Sequence, residues 1–224
     1  MSLRSSYGIA LIVGTLGYIA TMALHPVSVA GLSPAALAHE LQVNVAVHAL
    51  GLLSLPVVLF GFVGMSERVG WYRPSTQFAF IAYSLSVVAV MVAAVADGLV
   101  GPALIQKTFG ESETVAQTMR AAFELNFQIN QAFAKVFVVG ASLAIIAWSY
   151  ALSACGSFER KVAWYGWIVG LASIAALFSG HIQMSAHGFG AIVLLQAIWN
   201  TGVGVSLLLL PSSAESAVLL RQPK

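Results

Sequence analysis

Charge is what this chain has least of. Of its 224 residues, 8% are charged and 59% hydrophobic, with a mean hydropathy of +0.89. A soluble domain carries about a quarter charged residues, so a soluble globular fold is excluded, having too few charges to cover its surface. Disorder is excluded by the same numbers, because disordered chains are polar and charge-rich. Cysteine is nearly missing as well. The one residue, Cys155, excludes an internal disulfide and reads as a small apolar filler. No Gly-rich phosphate loop is present, and the balance of 10 basic against 8 acidic residues leaves no basic patch for nucleic acid. The class that remains is a polytopic membrane protein.

Long apolar runs set the architecture. A bilayer core about 30 Å thick needs roughly 20 apolar residues in a helix. Charge-free windows of that order begin near residues 7, 43, 74 and 136, and residues 162–214 contain no Asp, Glu, Lys or Arg at all. That last run is far too long for one crossing at 1.5 Å per residue, so it folds into a hairpin turning within residues 179–188. The sequence predicts an all-α chain, one six-helix transmembrane domain over residues 1–224, with spans near 7–24, 35–65, 75–98, 115–152, 162–181 and 187–210. Continuous apolar runs disfavour a β-barrel, whose strands alternate. Ser28-Val29-Ala30 looks like a leader cleavage site, but the preceding run is longer than a leader's apolar core, and it is read as the first span. Gly188-x-Gly190 and Gly202-x-Gly204 fall in the last span, where small residues permit close helix packing.

Six spans put both termini on one side. Arg4, Arg68, Arg73, Arg160, Lys161, Arg221 and Lys224 lie on that side, and Lys107, Arg120 and Lys135 on the other. The positive-inside bias makes the termini cytoplasmic and the membrane a cell's inner (plasma) membrane. Trp71, Tyr72, Trp148, Tyr150, Trp164, Tyr165 and Trp167 fall at the same level and read as an aromatic interface belt.

The cytoplasmic loops are too short to hold a catalytic domain. The outer side is richer. Ser33-Pro34 is a helix start, with Ser as cap and Pro in the first turn. On the fourth span Gln117, Arg120, Glu124, Gln128, Gln131 and Lys135 share one stripe at 100° per residue. Lys and Glu are costly in hydrocarbon, so the inner part of the stripe points to a cavity, with Asp97 or Glu124 as counter-ion to Lys135. On the second span Glu40, Asn44 and His48 follow at i, i+4 and i+8, a spacing that suits proton transfer or interhelical hydrogen bonding. Gln196 and Asn200 stand one turn apart on the sixth span. Pro56 predicts a kink beneath His48.

His25, His39, His181 and His187 all map to outer helix ends, beside Met22, Met119 and Met184. Met22-x-x-His25 and His181-x-x-Met184-x-x-His187 combine imidazole with thioether, a copper ligand set. Water and backbone satisfying interfacial His and Met is the alternative.

The stretch Arg160-Lys161, Trp164-Tyr165-Gly166-Trp167, Gly170, followed by Trp199-Asn200-x-Gly202 and a Leu run, resembles the uncharacterised bacterial membrane family named domain of unknown function 4386. The resemblance covers the last third of the chain. It implies a six-helix membrane protein and no catalytic residue.

The leading expectation is an outward-facing polar cavity that binds a small or amphiphilic ligand, lined by Glu40, Asn44, His48, Asp97, Glu124, Gln128, Gln131, Lys135, Gln196 and Asn200. The alternatives differ in class. One is an intramembrane enzyme on a lipid-like substrate, with His48, Glu124 and Asp97 in proton transfer. A second is a copper or haem protein using His25, His39, His181, Met184 and His187. A third is a structural subunit of a membrane complex. The expected partners are the bilayer, a small or lipid-like ligand, and a second copy or complex partner.

Overall fold

The structure is a computed structural model that describes residues 3–26, 32–108, 111–180, 182 and 184–209. Helices account for the fold, and the described residues contain no strand. They are α1 (Leu3–Ala23), α2 (Pro34–Val69), α3 (Pro74–Val95), a π-helical turn (Ala96–Val100), α4 (Gly101–Gln106), α5 (Glu113–Leu152), α6 (Ser157–Phe178) and α7 (Ala186–Leu209). Six segments are long and apolar enough to cross a bilayer, with α3, the π turn and α4 forming one of them. The chain is an integral, multi-pass membrane protein.

Local signals explain the helix limits. Ser33 caps α2, its Oγ accepting the Ala36 N–H at 3.3 Å, with Pro34 in the first turn. The helix continues through Pro56 to Val69. Between α6 and α7 the chain turns at Gly180, whose φ of +72° favours glycine.

The helices form two groups. α1 packs between α2 and α7, and α5 packs between α3 and α6. Leu16, Leu53, Leu85 and Leu171 turn outward and are exposed, as side chains facing lipid are. Inside the first group the backbones approach closely. A Cβ on Gly61 would lie 2.7 Å from the Leu11 Cβ and 2.8 Å from its backbone N. Dispersion between such close surfaces holds helices together where lipid removes the hydrophobic drive.

An aromatic stack joins the two groups. Phe62 of α2 stacks on Trp148 of α5 at 4.5 Å between ring centroids, with Tyr83 at 4.5 Å and Trp199 at 5.9 Å. Trp148 is fully buried and donates to Ser66 Oγ at 3.2 Å. This corrects its assignment to the interface belt: the ring fills the core between α2 and α5, while Tyr72, Tyr150 and Trp164 are exposed. Nearby, Arg68 at the end of α2 pairs with Glu159 in the first turn of α6, which also accepts from Ser206 of α7 at 3.3 Å. Glu159 is 1% exposed, although sequence position alone marks it as a surface acid. The stack and the ion pair close the end of the bundle where α1 starts and α7 finishes. The π turn and the start of α5 lie at the opposite, distal end.

Candidate functional site

The site begins with the π turn. A π turn widens the helix and draws its carbonyls out of the regular i to i+4 ladder. Gly101 N–H reaches back five residues to Ala96 O. Three asparagines complete the accounting. Asn126 Nδ2 donates to Ala96 O at 2.7 Å, Asn130 Nδ2 to Ala93 O at 3.0 Å, and Asn44 Nδ2 to Asp97 O at 3.0 Å. Two come from α5 and one from α2, so the irregular turn is held from both helix groups.

This turn presents Asp97. Its carboxylate Oδ2 stands 3.0 Å from His25 Nε2, just past α1, and 3.2 Å from His48 Nε2 in α2. The two imidazoles meet edge to face, with centroids 5.0 Å apart. Each ring is steered from behind: His48 Nδ1 donates to Asn44 O at 2.8 Å, and His25 Nδ1 to Pro26 O at 2.8 Å. His48 is buried, while 39% of the Asp97 side chain is exposed. The Asp97 carboxylate, accepting from the His25 ring, raises that imidazole's pKa above the ordinary histidine range, against the opposing effect of burial.

His25, His48 and Asp97 border a cavity of about 370 Å³ between the two helix groups. Leu55, Val90, Phe137, Phe189 and Val193 give it an apolar wall. At its inner end, Asn200 Nδ2 donates to the Tyr18 hydroxyl, and Gln196 Nε2 to Ser142 Oγ at 3.3 Å. Asn200 is 2% exposed and its Oδ1 has no hydrogen-bond partner. The cavity is thus apolar in the middle and polar at both ends.

Of the residues singled out from sequence, His48, Asp97, Gln131, Gln196 and Asn200 line this cavity. Asn44 supports it through the Asp97 carbonyl. Gln131 crosses to Met184 O at 3.0 Å. Glu40, Glu124, Gln128 and Lys135 do not line it. Glu124 and Gln128 pair with each other at 2.8 Å on the exposed side of α5, and Arg120 pairs with Glu113 at 2.6 Å. Lys135 borders a separate, shallow groove with Phe78, Leu85 and Phe178. Of the stripe Gln131 alone reaches the cavity, because the inward face of α5, carrying Asn126, Asn130, Ala134 and Phe137, is rotated from it.

The histidine set divides likewise. His25 joins His48 and Asp97, the one group of three His, Cys, Asp or Glu ligands within reach of one another among the described residues. His39 and His187 are exposed, and His181 lies outside the described residues. Met22 and Met184 line the cavity. Asn126 and Asn130 were missed from sequence, because they stand among Glu124, Gln128 and Gln131 but off the stripe that those residues form. The partnership of His25 with Asp97 was missed too, since nothing local joins residues 72 apart.

The fold and site define a helical multi-pass membrane protein with a His-Asp-His cluster facing an internal cavity. Comparison of the chain with known protein families, curated proteins and solved structures finds no match.

Proposed function

We propose that this protein binds a small amphiphilic molecule in the cavity between its two helix groups, with the polar head against His25, His48 and Asp97. The observation that carries this reading is the His-Asp-His cluster at one end of a cavity of about 370 Å³ with an apolar middle. Small-molecule sites typically measure about 300–1,000 Å³ and combine apolar walls with a few convergent polar groups. The unpartnered Asn200 Oδ1 at the inner end supports a second polar contact, since an unmatched buried polar atom is costly.

The bias of Lys and Arg supports cytoplasmic termini and a cavity opening outward from the plasma membrane. The resemblance to domain of unknown function 4386 rests on the Arg160–Gly170 and Trp199–Gly202 stretches and adds no role for the site.

A second reading is an intramembrane enzyme. The 3.2 Å contact between His48 and Asp97 favours it, because a carboxylate beside a steered imidazole suits general acid-base work.

Native mass spectrometry of the purified protein tests the binding reading. The wild type is expected to carry a bound small molecule, and a Trp in place of Ala94, which lines the cavity from α3, to fill it so that the Ala94→Trp variant loses the molecule. Leu85→Trp, on the exposed face, should keep it. A wild type that carries nothing, or an Ala94→Trp variant that carries the same molecule, overturns the reading.

A further inference from the structure

The protons of the His-Asp-His cluster do not balance. A backbone carbonyl only accepts, so the bonds from His48 Nδ1 to Asn44 O and from His25 Nδ1 to Pro26 O, both 2.8 Å, place a hydrogen on each Nδ1. In a neutral imidazole Nε2 is then a bare lone pair. Both Nε2 atoms face the same carboxylate oxygen, at 3.0 and 3.2 Å. Three electron-rich atoms therefore converge on one spot. A proton on one ring relieves one contact and leaves the other. Protonating both brings two imidazolium rings to 5.0 Å against a single carboxylate.

We infer that a divalent transition-metal ion, Zn²⁺ by ligand chemistry, sits between His25 Nε2, His48 Nε2 and an Asp97 carboxylate oxygen. One cation satisfies all three lone pairs. Asp97 Oδ2 stands 3.0 and 3.2 Å from the two Nε2 atoms, close to the roughly 3.3 Å between ligands about 2.0–2.1 Å from a tetrahedral zinc, and all three ligand atoms lie within 4.8 Å, so the two imidazoles draw together slightly around the ion. The outer shell is that of a metal site, in which each ligating histidine donates its other N–H to a carbonyl or carboxylate. Asn44 serves twice, accepting from His48 through its carbonyl and tethering Asp97 through its side chain. Two histidines and one carboxylate leave a coordination position open, and the exposure of Asp97 turns that position toward the cavity.

This inference rests on the binding reading and sharpens it. The head of the bound molecule is then a Lewis base, an oxygen or nitrogen that completes the coordination of the ion. The site differs from the copper set of outer His and Met residues, drawing only His25 from it.

Co²⁺ is the probe. It is added to tag-free, full-length protein in detergent after chelator treatment, with circular dichroism to verify the fold. The expected result is one Co²⁺ per chain with visible ligand-field bands, bleached by Zn²⁺. His25→Ala, just past the end of α1, and Asp97→Asn should each weaken Co²⁺ binding at least tenfold while helix content is kept. Glu124→Gln should bind as the wild type does. Absence of bands in the wild type, or unchanged bands in both His25→Ala and Asp97→Asn, overturns the inference. The two readings fail separately. Loss of the metal with a bound molecule retained defeats only the ion, whereas Co²⁺ binding in a protein that carries no molecule defeats only the binding reading.

Discussion

The backbone of Gly98 rests directly on the side chain of His48. A Cβ at position 98 would stand 2.2 Å from both Cβ and Cγ of His48. The Cβ is fixed by the backbone of α2, so no side-chain torsion moves it out of the way. The contact sets how closely the π turn approaches α2, and so the reach from Asp97 to His48. Gly98→Ala must push the turn and α2 apart. Overpacking of this kind costs about 1–3 kcal/mol. The variant should melt at lower temperature in detergent and lose the bound molecule. An unchanged melting temperature with the molecule retained would show that this packing does not position the site.

Asn126 and Asn130 hold the same turn from the other side. Each amide supplies a donor to a carbonyl of the π turn or the residues leading into it. Replacing either with Leu keeps the volume and removes the side-chain donor, leaving the carbonyl its backbone donor alone, a loss of about 0.5–1.5 kcal/mol. Asn130→Leu and Asn126→Leu should lower thermal stability and loosen Asp97. Gln128→Leu, on the exposed side of α5, should leave both unchanged.

These two cases mark the limit of what the sequence carries. Spans are legible because hydrocarbon selects apolar runs of a definite length, and both the α2 start and the α6–α7 turn announce themselves in Ser33-Pro34 and in residues 179–188. The chemistry at His48 and Asp97 was legible as two separate ionisable residues inside spans. Their meeting with His25 was not, because it depends on a π turn with no sequence signature and on packing between distant helices. The polar stripe of α5 misled for a physical reason. A helix wheel reports where polar residues gather, and a solvated helix surface gathers them as a cavity wall does. Glu159 shows the converse, a charge in a short loop region that folding buries against Arg68.

Cys155 offers a probe of the closed end. It is half-buried between α5 and α6, and desolvation followed by the charge of Glu159 raises its thiol above the ordinary range, with Arg68 and Arg73 opposing. A raised pKa means less thiolate at neutral pH, and the thiolate is the nucleophile. Maleimide labelling at pH 7 should therefore be slower than that of a free thiol, and its rate should keep rising through alkaline pH beyond the free thiol's midpoint. A rate that levels off at the ordinary thiol value would contradict this assignment.

Arg68 and Glu159 tie α2 to α6 at the end opposite the His-Asp-His cluster. Only 10% of the arginine side chain and 2% of the glutamate side chain are exposed. Removing one partner of such a pair strands a charge out of water and costs about 3–5 kcal/mol. Removing both strands nothing, and apolar replacements of similar volume are often neutral. Glu159→Leu alone should therefore destabilise strongly, since it removes the carboxylate that Arg68 pairs with between α2 and α6. Arg68→Met alone should do the same to Glu159, with Ser206 as its remaining donor. Arg68→Met with Glu159→Leu should recover much of the lost stability, and denaturation of the four proteins gives the coupling. Additive losses would mean that each charge is satisfied independently of the other. Recovery in the double variant would show that the pair selects which helices close this end of the cavity more than it stabilises the bundle. In that case the double variant, although stable, should bind the small molecule more weakly, because its closed end is no longer held by a directional contact.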